Sequence, residues 1–297
     1  MVAGPLPLRL LLDEAIRLGR RHWRDVYLPT AGVFVATSVV AVLAQFMLFR
    51  GLAGSQNVFA GCLAGLIALP AVALGWLAQG AMTVAAVDVV AGRPVDLRRS
   101  WRFIVRPRVL GTLLLAGLAI GVSFLCCFFP ALYVAPMLSL ALPAMVEEGR
   151  FGFAALGRSA ELTRYNPSRA FVDNAITCAF LLLVFGWFFS ALFSMLIQML
   201  FVAAKMVLQI RNVGLEEASG FDPGDPLWLW LDVPGAVLGG LASTLAALFI
   251  TMALALLFFD CRWRREGSDL EAALEAVERR PRAPVPSAGG LPLGGPP

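Results

Sequence analysis

The chain has 297 residues, of which 59% are hydrophobic and 15% charged, with a mean hydropathy of +0.78 and a net charge of +4. A soluble domain averages about 45–50% apolar and about 25% charged residues, so lipid must be the solvent for most of this chain. That excludes a soluble enzyme, a disordered regulator and a nucleic-acid-binding domain, and a single histidine, His22, excludes most histidine-based catalysis.

A helix needs about 20 apolar residues to cross about 30 Å of hydrocarbon. Six runs qualify: 26–49, 58–90, 109–129, 131–146, 170–204 and 227–259. The stretch before the first run carries Arg9, Asp13, Glu14, Arg17, Arg20, Arg21 and Arg24 and does not read as a signal peptide. The fourth run has 16 residues and contains Pro136 and Pro143, which predicts a thinned or broken span. The second is long and contains Pro70, which predicts a kink. Gly61/Gly65, Gly117/Gly121 and Gly235/Gly239 recur at four-residue spacing, as at close helix packing.

Lysine and arginine set the orientation. With the N-terminus inside, segments 1–25, 91–108, 147–169 and 260–297 hold 21 of the 24 basic residues, leaving Arg50, Lys205 and Arg211 outside. The outer loop after the fifth run is acidic, with Glu216, Glu217, Asp222 and Asp225, and its spacing fits no calcium loop. By the positive-inside rule both termini face the cytoplasm.

Each inner segment predicts an amphipathic helix in the headgroup plane. Leu8, Leu11, Leu12, Ala15 and Ile16 share a face before the first run. Leu97, Trp101, Ile104 and Val105 do so before the third, opposite Arg98, Arg99, Arg102 and Arg106. Phe153, Leu156 and Ala160 do so before the fifth, opposite Arg158, Glu161 and Arg164. Arg21, Arg99 and Arg158 are followed eight or nine residues later by Pro29, Pro107 and Pro167, each expected to end the interfacial helix and start a span. Each even-numbered span ends on an acid and then a glycine: Asp88 and Gly92, Glu147/Glu148 and Gly149, Asp260/Glu266 and Gly267.

The expected fold class is therefore an all-α integral membrane protein with six transmembrane helices in three hairpins. A cytoplasmic interfacial amphipathic helix precedes each hairpin. Residues 1–280 form one membrane domain, with repeats at about 6–92, 93–149 and 150–267. A last interfacial helix follows over 268–280, capped by Ser268 and Glu271. Residues 281–297, with six prolines and four glycines, read as a disordered tail.

Residues 142–150 (LPAMVEEGR), 154–164 (AALGRSAELTR) and 259–271 (FDCRWRREGSDLE) resemble membrane-edge signatures of a bacterial multi-pass family. That family is named for the membrane domain of glycerophosphoryl diester phosphodiesterase. The resemblance covers the chain to about residue 278. It implies a stand-alone membrane part without a catalytic barrel, and it supplies no catalytic residues.

Ionisable groups in spans are costly and mark functional candidates. Asp88, Asp173, Asn174 and Asp260 are the candidates here. Arg169 and Arg264 stand four residues from Asp173 and Asp260, so interfacial ion pairs are the plainer reading and a shared polar site the sharper one. Gln45, Gln79 and Gln198 read as interhelical hydrogen-bonding groups. The five cysteines read as small buried hydrophobes, with a disulfide from Cys62 to Cys126 or Cys127 as the alternative. No cofactor or metal motif is present in the sequence.

Arg98, Arg99, Arg102, Arg158 and Arg164 are the expected contacts to anionic lipid headgroups. The functional expectation is a non-enzymatic inner-membrane protein that organises the membrane or anchors a larger assembly, with lipids and an unidentified protein as partners. The alternative is a small-solute or lipid transporter with a polar site near Asp173 and Asn174. Reporter tags inserted near residues 100 and 155 should both report the cytoplasmic side; tags on opposite sides would refute the pairing of spans.

Overall fold

The computed structural model describes residues 8–53, 58–126, 128–165, 171–213 and 226–278, and every regular element among them is helical. In chain order these are α1 (Leu8–Arg21), α2 (Trp23–Ala53), α3 (Val58–Val90), α4 (Leu97–Ile104), α5 (Pro107–Cys126), α6 (Phe128–Leu138), α7 (Ala141–Glu148), α8 (Phe153–Thr163), α9 (Ala175–Val213) and α10 (Pro226–Glu278). Six stretches are long and apolar enough to cross a bilayer: Trp23–Met47, Gly65–Val90, Pro107–Cys126, Phe129–Glu148, Ala175–Val207 and Asp232–Arg265. The chain is thus an all-helical, multi-pass membrane protein.

The core lies towards one end of the bundle. There α10 packs on α1, α2, α3 and α9, while α3 also receives α4 and α7. Met82, Val87, Leu248, Met252 and Phe258 are buried together, and Ile104, Val109 and Met145 form a second cluster beside them. By contrast, α5 and α9 leave Leu114, Leu118, Phe124, Trp187, Met195 and Leu200 exposed. Apolar side chains on that surface suit contact with acyl chains, which solvate leucine as well as another helix does.

Several expectations are corrected. Pro29 does not start a span. The helix breaks instead at His22, and α2 runs on through Pro29. The hydroxyl of Thr30 there donates to the carbonyls of Val26 (2.7 Å) and Tyr27 (3.0 Å). Pro107 does begin α5, as a first-turn proline can; Pro167 lies outside the described residues. Pro70 lies inside α3. The final interfacial helix is not separate, because α10 continues through Gly267 to Glu278 and Ser268 is a helix-interior residue rather than a cap. Span four is broken into α6 and α7 at Ser139-Leu140, and the Ser139 hydroxyl donates to the Pro136 carbonyl at 2.7 Å. Lys205 and Arg211, expected in the outer loop, belong to α9. The acidic residues of that loop and the proline-rich tail lie outside the described residues.

Each short helix turns a narrow stripe to the bundle. On α1 it is Leu11, Ala15 and Gly19, while Leu12 and Ile16 are exposed. On α4 it is Ser100 and Ile104, with Val105 exposed. On α8 Ala155, Ser159, Leu162 and Thr163 are buried and Phe153 is exposed. The reason is polar. The break in span four frees the Met137 carbonyl, and Ser159 Oγ donates to it at 2.7 Å. In an apolar environment an unmatched carbonyl is costly, so a serine face outbids a phenylalanine one.

Glycine spacing marks only some of the close helix approaches: a Cβ at Gly235 would sit 3.3 Å from the Phe201 ring of α9 and one at Gly117 3.7 Å from Trp76. Cβ atoms at Gly65, Gly121 and Gly239 would meet nothing within 4 Å. At Gly240 a Cβ would sit 3.1 Å from Val35 Cα and 3.2 Å from the Phe34 carbonyl oxygen, so α10 touches the α2 backbone there. Of the cysteines, Cys178 and Cys261 are buried as expected, whereas Cys126 is an exposed free thiol; Cys127 and the Cys62 side chain lie outside the described ones. Gly240→Leu should destabilise the protein by about 1–3 kcal/mol through overpacking, whereas Gly239→Leu should leave it nearly unchanged; thermal unfolding in mild detergent checks the pair.

Candidate functional site: a charge network at the arginine-bearing end

The expected polar residues separate into distinct places. Asp88, near the C-terminus of α3, is fully buried. Three residues past α3's last turn, Arg93 Nε comes within 2.8 Å of Asp88 Oδ1. The return is possible because Gly92 adopts a φ of +72°, a conformation that glycine takes without penalty. The Arg93 backbone N–H donates to the Asp88 carbonyl at 2.8 Å, which closes the turn. The same guanidinium reaches Glu147 at the end of α7 through Nη2. Arg99 on α4 stands 3.9 Å from Asp88. Among the described residues neither Asp88 carboxylate oxygen has a hydrogen-bond partner, so its stabilisation is coulombic.

The turn after α7 follows the same plan. Gly149 has a φ of +64°, and Arg150 Nε lies 3.1 Å from Glu148. Arg158 of α8 donates through Nε to both Glu148 oxygens at 3.0 Å and through Nη1 to Glu161 at 3.2 Å. Burial alone would lower the Arg158 pKa. The hydrogen bonds and charges of Glu148 and Glu161 outweigh it and raise the pKa above its ordinary value. Arg265 of α10 lies 3.5 Å from Glu161. The pairs thus run from α3 through α7 and α8 to α10. Thr112 on α5 joins their edge, accepting from the Gly152 N–H at 2.7 Å.

Asp260 and Arg264 form the expected same-face pair on α10, at 2.5 Å. Asp173 is not within a span: it ends a 3-10 turn (Phe171–Asp173) before α9, and its side chain and Arg169 lie outside what is described. Asn174, next to it, is buried. Arg98, Arg102 and Arg164 are exposed, as headgroup contacts would require. Arg158 is not, with its side chain only 11% exposed and committed to Glu148. Towards the other end of α9 and α10, Lys205 pairs with Asp232.

Arg93, Arg150, Ser159 and Thr163 were missed by sequence reasoning. The signal for the first two was present as an acid, a glycine and then an arginine at the end of α3 and again at the end of α7. Nothing in the sequence marks Ser159, whose partner exists only because span four breaks. No group of three or more potential metal ligands occurs among the described residues.

The chain matches no protein-family model, no curated protein and no solved structure.

Arg93→Gln strands the Asp88 carboxylate in the core and should cost about 3 kcal/mol, since an uncompensated buried charge is the expensive case. Adding Asp88→Asn should restore part of that loss; a double-mutant cycle on detergent-solubilised protein measures it.

Proposed function

We propose that this chain is a non-enzymatic protein of the bacterial inner membrane that organises the membrane or anchors a larger assembly, with both termini in the cytoplasm. On this reading its spans pair as three hairpins, with α1, α4 and α8 at the inner leaflet. The resemblance of residues 142–164 and 259–271 to the membrane domain of the phosphodiesterase-named family belongs to the same proposal.

The observation that carries it is how the polar groups are spent. Asp88, Glu147, Glu148 and Glu161 are each held by an arginine that ties one helix or turn to another. Several buried hydroxyls turn back on their own helices: Thr83 donates to Gln79, Thr244 to Gly240 and Thr251 to Ala247, each a carbonyl four residues earlier. Groups used in this way stiffen a scaffold and do not line a path for solute. The arginines left exposed, among them Arg98, Arg102 and Arg106, stand at the same end and are available to lipid phosphates or an acidic partner.

Purification in mild detergent, followed by mass spectrometry of co-purifying proteins and lipids, tests the reading. The wild type should retain a defined anionic lipid or protein that the Arg98→Glu, Arg102→Glu, Arg106→Glu triple variant loses. Recovery of neither from wild type would refute it. Asp173→Asn should leave that recovery unchanged, whereas a transporter centred on Asp173 and Asn174 would lose solute flux with this substitution.

A further inference from the structure

The break between α1 and α2 faces the turn between α3 and α4 across an open cleft of about 580 Å³, within the range of small-ligand sites. The α1–α2 side carries His22, Arg24, Asp25 and Pro29, and the α3–α4 turn carries Arg93, Pro94, Val95 and Leu97. We propose that this cleft binds a phosphate-bearing lipid headgroup. The lipid as the source of the phosphate rests on the membrane reading above.

The lining combines cationic and apolar groups, as an amphiphile requires. Arg24 supplies the fixed cationic donors that a phosphate accepts from. It is held over the Trp23 ring, 5.6 Å from its centroid, which lowers the entropy lost when it engages an anion. Trp23 is itself 42% exposed and suits the headgroup depth that tryptophan favours. His22 adds a second nitrogen donor. Its Nδ1 stands 3.9 Å from Asp25, whose exposed carboxylate can accept from a headgroup hydroxyl. The prolines offer no N–H, and with Val95 and Leu97 they leave an apolar surface for the glycerol and first acyl carbons. Arg93 joins the cleft to the buried network, because the same guanidinium holds Asp88 and Glu147. Arg24 makes no such link, so it can be altered without unpairing a buried carboxylate.

Native mass spectrometry of the full chain in mild detergent, titrated with phosphatidylglycerol, diacylglycerol or inorganic phosphate, tests the site. One phosphatidylglycerol should bind at least about tenfold more tightly than diacylglycerol, and Arg24→Gln should remove that preference. His22→Gln should weaken it, and the control Arg17→Gln, whose guanidinium pairs with Glu14 outside the cleft, should change it less than about twofold. Saturable binding of inorganic phosphate that displaces the lipid and is lost in Arg24→Gln would support the same cleft with a soluble phosphate as its source. Equal binding of phosphatidylglycerol and diacylglycerol, or Arg24→Gln and His22→Gln variants that bind like wild type, would overturn the proposal. Carbonate washing of membranes is the parallel control. Release of the protein would refute the membrane reading alone, and the inorganic phosphate titration would still decide the cleft.

Discussion

A carboxylate removed from water must be given a counter-charge, and the arginine-bearing end of this protein is arranged around that requirement. Asp88 is fully buried where α3 meets α4 and α7. Its pairing with Arg93 needs the chain to reverse within five residues, and that needs Gly92 in the left-handed region. Once Arg93 is placed, Glu147 is drawn to it and α7 is fixed beside α3. Glu148, the next residue, then presents its carboxylate to Arg158, and α8 is fixed in turn. Pairs of this kind add little net stability against a hydrophobic alternative. They do specify which helix end meets which, a matter that apolar packing between lipid-bathed helices leaves open.

The broken fourth span shows the same economy in neutral groups. Pro136 in α6 and Pro143 in the first turn of α7 lack donors, and the helix stops between them. The Met137 carbonyl so released is taken by Ser159 on a helix 22 residues away in sequence. Thr163 reaches the same carbonyl at 3.4 Å while donating to Ser159 O at 2.9 Å. A discontinuity in a membrane helix is tolerated only where protein satisfies the exposed backbone, and α8 does this.

The six spans were legible because uncharged length is a direct consequence of bilayer thickness, and the short helices because charge interrupts it. The stripe that packs on the bundle was not legible. Periodicity groups Phe153, Leu156 and Ala160 as the apolar face of α8, but the buried stripe is Ala155, Ser159, Leu162 and Thr163, which hydrophobicity alone does not pick out. Beside lipid, an apolar residue gains nothing by turning inward, and the hydroxyl of Ser159 does. The end of span five failed for a related reason: Lys205 looked like a loop residue until Asp232 on α10 gave it a partner. Pro29 misled because a proline usually ends a helix, whereas α2 starts six residues before it and continues through it. The acid-glycine pattern led to Asp88, Glu147 and Glu148, but the arginine after each glycine gained meaning only from the turn geometry.

The absence of any break in α10 has mechanical weight. At 53 residues it is a rod of about 80 Å, well beyond the hydrocarbon thickness, and it packs on α1, α2, α3 and α9. A stiff rod works as a lever. A reorientation of ten degrees about one end would swing the other by about 14 Å for that length. The position of its final turns is therefore tied to how α10 packs in the core, with no break in the helix between them.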